Sequence, residues 1–130
     1  MSTRPPSPRG PHKAVLTTVG AAGIAEIAVH GSWSHRLGTE VTVALRDCFA
    51  DRPGIIVDLH AMNDDAAASL PLWLAARRVA NVLRAPVHLA LCLPAATLLE
   101  VRLRRIGAHR LPLYATMAEA RAAVTAPSVG

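Results

Sequence analysis

Residues 54–60, GIIVDLH, constrain this chain more than any other stretch. A strand with one face in water alternates apolar and polar side chains. Here Ile55, Ile56 and Val57 follow one another without a break, so both faces need cover. Such a strand belongs inside a parallel sheet, where neighbours are joined by crossovers that are usually helical. The chain supplies a helix on each side. Before the strand, Leu37, Val41, Ala44, Leu45, Cys48 and Phe49 recur at helical spacing, with Arg46 and Asp47 on the opposite side and Asp51, Arg52, Pro53 and Gly54 ending the helix. After it, a helix starts at Ser69, an N-cap residue type, with Pro71 tolerated in the first turn and Leu72, Ala76, Val79, Ala80 and Leu83 as the predicted buried face.

The remaining segments extend the pattern. AVLTTV and IAEIAVH are strand-like runs joined by GAAG at residues 20–23, which predicts a hairpin. A phosphate-cradling loop would be followed by a helix, not by a second strand. PVHLALCLP reads as another buried strand, ATLLEVRLRRIGA as a helix with its arginines near the C-terminal end, LPLYAT as a short extended piece and MAEARAAV as a last helix. The order predicts an α/β domain whose mixed sheet is built from an N-terminal hairpin plus parallel crossovers, with about four helices. Residues 1–12, rich in proline and without apolar periodicity, are expected to be a flexible tail. Residues 13–124 are expected to form a single domain and residues 125–130 a C-terminal tail.

Aromatic residues make up 3% of a chain that is 52% hydrophobic, so the core must be aliphatic. The net charge of +5 is spread over separate segments with no aromatic stacking set or reader motif, which argues against a nucleic-acid partner. Cys48 and Cys92 lie far apart with no CxxC or Cys/His ligand spacing. Neither a disulfide framework nor a structural zinc site is expected, and free thiols fit a cytoplasmic location. The longest apolar stretch is interrupted by His88 and Pro94, so no membrane insertion is expected.

The loop at residues 60–69 is where chemistry would sit, yet its tip is Ala66, Ala67 and Ala68. Its carboxylates, Asp64 and Asp65, are expected to form a solvated acidic turn. They serve as general acid and base only if both face one substrate with separated pKa values. An enzyme or metal site would draw on Asp64, Asp65, His30 and His60, but no HxxxH or HExxH spacing supports it. No catalytic residue, metal or cofactor is therefore assigned. Trp33 and Trp73 flank the loops that follow the second and third strands, and Trp is enriched at the centres of protein interfaces.

These residues carry a resemblance. The chain is similar to the STAS domain of bacterial anti-sigma factor antagonists, in which the second strand ends in Gly-Glu-Leu-Asp and the third in Asp-Leu, leading to Asp-Ser-Ser-Gly at the start of a long helix. Here the second strand ends in Gly31, Ser32, Trp33 and Ser34. The third holds Val57, Asp58 and Leu59, and the Asp-Ser-Ser-Gly positions fall on Ala66, Ala67, Ala68 and Ser69. IGAHRLPLYATMAEARAAV resembles the family's closing segment. The resemblance implies a regulatory protein-interaction domain, not an enzyme, acting in transcription regulation. Its partner would be an anti-sigma factor with a serine-kinase-like ATP-binding fold. A related possibility on the same fold is an accessory subunit of a transporter ATPase. The family's phosphorylated Ser is replaced by Ala, leaving Ser69 as the one nearby alternative phosphoacceptor. The implied partner-binding residues are Trp33, Ser34, Asp64, Asp65, Ala67, Ala68, Ser69 and Trp73. The oligomeric state does not follow from the sequence.

Overall fold

A computed structural model describes residues 14–83, 85–107 and 111–125. The tail expected at residues 1–12, and all of the C-terminal tail except Thr125, lie outside these residues. The described elements are β1 (Val15–Val19), β2 (Ala25–Val29), β3 (Gly31–Ser32), α1 (His35–Asp51), β4 (Gly54–Asp58), β5 (Met62–Asn63), α2 (Leu70–Val82), β6 (His88–Cys92), α3 (Leu98–Gly107), β7 (Leu113–Tyr114) and α4 (Met117–Thr125). The main sheet has the order β1-β2-β4-β6-β7. β1 and β2 are antiparallel, and the pairs β2·β4, β4·β6 and β6·β7 are parallel. The expected mixed sheet of one hairpin and parallel crossovers is therefore present, with four helices. In the hairpin turn Ala22 and Gly23 take left-handed φ values of 59° and 76°.

β4 occupies the middle of the sheet, and its successive side chains enter different layers. Ile55 and Val57 belong to a core shared with α1, α2 and α3 through Leu37, Val41, Leu45, Trp73, Ala76, Leu99 and Leu103. Ile56 points to the other face, where Ile24, Cys92 and Ala120 pack with Tyr114, Met117 and Val124 beneath α4. Burial in this second layer pushes the Cys92 thiol up to about 11, so it stays protonated at neutral pH. α4 sits close to β4: a Cβ added at Gly54 would come within 2.9 Å of Ile24 Cδ1 and 3.1 Å of Val124 Cγ1.

One sequence reading needs correction. The buried face of α2 is Trp73, Ala76 and Ala80, not the stripe through Leu72 and Val79. Both stripes are apolar, and the sheet takes the one carrying the largest side chain. Leu72, Val79 and Leu83 instead border an open apolar groove of about 430 Å³ against Leu45 and Phe49 of α1. His88 is exposed at the start of β6. Local capping signals are satisfied: Thr97 Oγ1 accepts from Glu100 N at 3.2 Å while Glu100 Oε1 accepts from Ala96 N at 3.1 Å, and Thr116 Oγ1 accepts from Glu119 N at 3.1 Å. Among the described residues no helix is long and apolar enough to cross a membrane.

α4 is held to the sheet by one ion pair as well as by apolar contact. Arg121 Nε and Nη2 donate to the two carboxylate oxygens of Glu26 on β2 at 2.7 and 2.9 Å. The guanidinium holds the Glu26 carboxyl below its ordinary value of 4.5. A lowered folded-state pKa contributes stability that is present above the unfolded value and lost as pH falls through the folded one. Thermal unfolding from about pH 7 to about pH 3 should show Tm falling below the ordinary glutamate range, and Glu26→Gln should start lower and flatten that decline. An unchanged pH dependence in Glu26→Gln would remove the pair from the account.

Candidate docking site

The loops after β2 and β4 meet at the end of the sheet where the parallel strands finish, and short backbone pairings lock them together. β3 pairs with β5 in parallel, Gly31 against Met62 and Ser32 against Asn63. Trp33 N donates to Asn63 O at 2.9 Å and Gly31 N to Ala61 O at 3.0 Å. These two-residue strands have no periodicity to show in sequence and exist because the loops touch.

Asp64 follows β5 directly and faces the N-terminus of α2. Its carboxylate accepts from Ala68 N at 2.8 Å and Ser69 N at 2.9 Å, and Ser69 Oγ also donates to it. The turn that presents these amides passes through Ala67 in a left-handed conformation, φ 56°. The carboxylate thus supplies acceptors for free amide groups and negative charge at the positive end of the helix dipole. It is half-buried and fully engaged, which corrects the expectation of a solvated acidic turn; Asp65 alone is exposed.

Ser69 then passes the connection inward. Its Oγ accepts from Trp73 Nε1 at 2.9 Å, one helical turn on. Both residues have 0% of their surface exposed. Three expectations change. Trp73 is not an outward docking side chain, because the Ser69 oxygen lets its indole N–H be buried without loss of a partner. Ser69 does not cap α2 through its side chain; the Asp64 carboxylate instead accepts from the Ala68 and Ser69 amides just ahead of the helix. Nor is Ser69 placed to accept a phosphoryl group, since its hydroxyl is inaccessible and already bonded to a carboxylate.

Trp33 is half-buried, its ring centroid 6.3 Å from that of Trp73. It lies on the bare face of Gly38, where an added Cβ would come within 3.1 Å of Trp33 Cζ2. Ser34 Oγ accepts from Leu37 N at 3.1 Å and caps α1. Of the eight residues expected to bind a partner, Ser34, Asp65 and Ala68 are exposed, Trp33 and Asp64 are half-buried, and Ala67, Ser69 and Trp73 are buried. Beside the acidic loop lies a cleft of about 180 Å³ bordered by Leu59, Met62, Asp64, Asp65, Pro94 and Leu98.

The enzyme constellation is not assembled. Among the described residues, no group of three or more potential ligands contains more than one of His30, His60, Asp64 and Asp65. Asp64 is occupied with α2, whereas His60 bonds to Asp58 and to the Ala115 carbonyl. Sequence reasoning missed the Asp64–Ser69–Trp73 chain. Its one local signal was the Ser69/Trp73 spacing of four, which places two hydrogen-bonding side chains on one helix face.

Ser69→Ala should remove about 1–3 kcal/mol of stability by leaving the Trp73 indole N–H without a partner, and should shift Trp emission. Denaturant unfolding followed by fluorescence measures both. A loss under about 0.5 kcal/mol with unchanged emission would mean that the buried connection contributes nothing.

No protein-family model matches the chain, and no curated protein matches it either. Solved structures do. An anti-sigma factor antagonist from Mycobacterium paratuberculosis shares 20% identity, with 85% of this chain and 93% of that one covered at a TM-score of 0.67. The anti-sigma factor antagonist SpoIIAA in its unphosphorylated form shares 14% identity, with 88% and 100% covered at a TM-score of 0.65. At these identities the likeness is one of fold: the chain has the STAS fold of the anti-sigma factor antagonists.

Proposed function

We propose that this protein is a regulatory interaction domain of the anti-sigma factor antagonist type, one that docks a partner at the corner between the β2 and β4 loops without being switched there by phosphorylation. Its partner is an anti-sigma factor of kinase-like fold, and the setting is bacterial, cytoplasmic and concerned with transcription. The fold shared with such antagonists supports the class of activity. The observation that carries the mechanism is the state of the α2 side of the corner: Ala66 and Ala68 present exposed methyl groups, while the hydroxyl of Ser69 is buried and bonded to Asp64.

A phosphoserine here would bring roughly −2 charge and three acceptor oxygens to a helix N-terminus, enough to reverse docking. This corner instead contains the Asp64 carboxylate turned inward onto the Ala68 and Ser69 amides, and the exposed side chains of Ala66 and Ala68 beside it are small and uncharged. Docking is then governed by partner concentration, through a contact of standard size that would bury about 800 Å² per side. Asp64 is committed to the Ala68 and Ser69 amides and to the Ser69 hydroxyl, and Asp65 is exposed.

Mixing the full chain with a kinase-type anti-sigma factor and ATP should give a stable complex whose antagonist retains its unmodified intact mass. Ala68→Arg, at an exposed position, should weaken that complex at least about tenfold with Tm unchanged, since a charge buried without a partner is strongly unfavourable. Phosphate incorporated stoichiometrically within residues 64–70, or binding indifferent to Ala68→Arg, would defeat the proposal.

A further inference from the structure

The geometry points to a second site outside the docking corner: we propose that Asp58, His60 and Cys92 bind one zinc-type divalent transition-metal ion. The three come together because β4 and β6 are neighbours in register, Asp58 opposite Cys92, with His60 two residues beyond the end of β4. One ligand atom from each lies within 4.8 Å of the others. The set was invisible to spacing rules because Asp58 and Cys92 are 34 positions apart and belong to different strands.

Hydrogen-bond chemistry at His60 supports the assignment. Its Nε2 is 2.8 Å from the Ala115 carbonyl oxygen. A carbonyl only accepts, so this nitrogen carries the hydrogen, and in the neutral ring Nδ1 is then a bare lone pair. That lone pair faces Asp58 Oδ1 at 2.8 Å and Cys92 Sγ at 3.7 Å. In the neutral ring the nitrogen and the carboxylate oxygen, which also accepts from His60 N at 3.1 Å, would face each other as two acceptors, and a cation between them serves both. A proton would satisfy the His60–Asp58 pair alone, whereas a metal ion also uses the sulfur. Histidine ligands typically donate their second ring N–H to a carbonyl or carboxylate, as His60 does to Ala115.

The donor set suits the ion. Nitrogen, sulfur and oxygen ligands with an open fourth position are the chemistry of zinc and of cobalt(II) as its substitute. With Zn–N near 2.0 Å and Zn–S near 2.3 Å, tetrahedral ligation separates N and S by about 3.5 Å, close to the distance present. Asp58 and His60 must part by about half an ångström, which their partial exposure allows. The ion approaches from their side, and the Cys92 Sγ–H bond breaks as the sulfur–metal bond forms, its proton passing to solvent. Bound there, the ion joins β4 to β6 and, through Ala115, to the start of α4. This proposal is independent of the docking reading.

The test is titration of the chelator-treated full chain with cobalt(II), then zinc(II). One equivalent of cobalt should produce a sulfur-to-cobalt charge-transfer band and the visible bands of a four-coordinate ion. Zinc should bleach both and raise Tm. Cys92→Ser should abolish the charge-transfer band and Cys48→Ser should leave it. Asp58→Asn and His60→Gln, which retain the thiol, should each weaken cobalt binding about tenfold or more, and they decide the matter if Cys92→Ser fails to fold. A missing band at stoichiometric cobalt, a band that survives Cys92→Ser, or affinity unchanged in both Asp58→Asn and His60→Gln would overturn the proposal. So would His60 ring resonances that zinc leaves unmoved, since a proton alone would then fill the gap.

Discussion

Everything in this fold leans on β4 being apolar on both sides. Ile55 and Val57 commit one face of the sheet to three helices, and Ile56 commits the other to α4. Each such side chain is stabilised by roughly 1.5–3 kcal/mol when withdrawn from water, so a central strand left bare on either face would be strongly unfavourable. Parallel neighbours on both flanks then oblige the chain to cross over before and after β4. Those crossovers bring the loops after β2 and β4 to the same end of the sheet.

At that end the chemistry is inward. Asp64 meets the free amides of α2, Ser69 meets Asp64, and Trp73 meets Ser69, so polar groups entering the core do so with partners already in place. The consequence for function is a division of labour along a few residues. Buried members fix where α2 begins and how it seats on the sheet. Exposed neighbours, Ser34, Asp65 and Ala68 among them, remain at the surface. The hydroxyl within the loop, on Ser69, is buried and bonded to Asp64.

The other polar cluster, around His60, lies on the α4 side of the same strand ends. It differs from the docking corner in its donor set: a nitrogen, a carboxylate oxygen and a sulfur lie within 4.8 Å of one another.

The repeating elements were legible in the residues alone. The unbroken apolar run at 55–57, the helical stripe at 37–49 and the glycine turn at 20–23 each announce their structure through local periodicity, and together they require a mixed sheet with crossovers. Local pattern could not rank two apolar stripes on α2, since either would satisfy an amphipathic helix; only packing against the sheet selected Trp73 over Leu72. Nor could it foresee that Asp64 would be drawn from solvent to the helix amides, or that Asp58, His60 and Cys92 would converge. Hydrophobic burial acts between neighbours along an element and so leaves its mark in spacing. Hydrogen bonds and ligand sets join residues that become neighbours only once the strands are paired, and that pairing belongs to the folded chain.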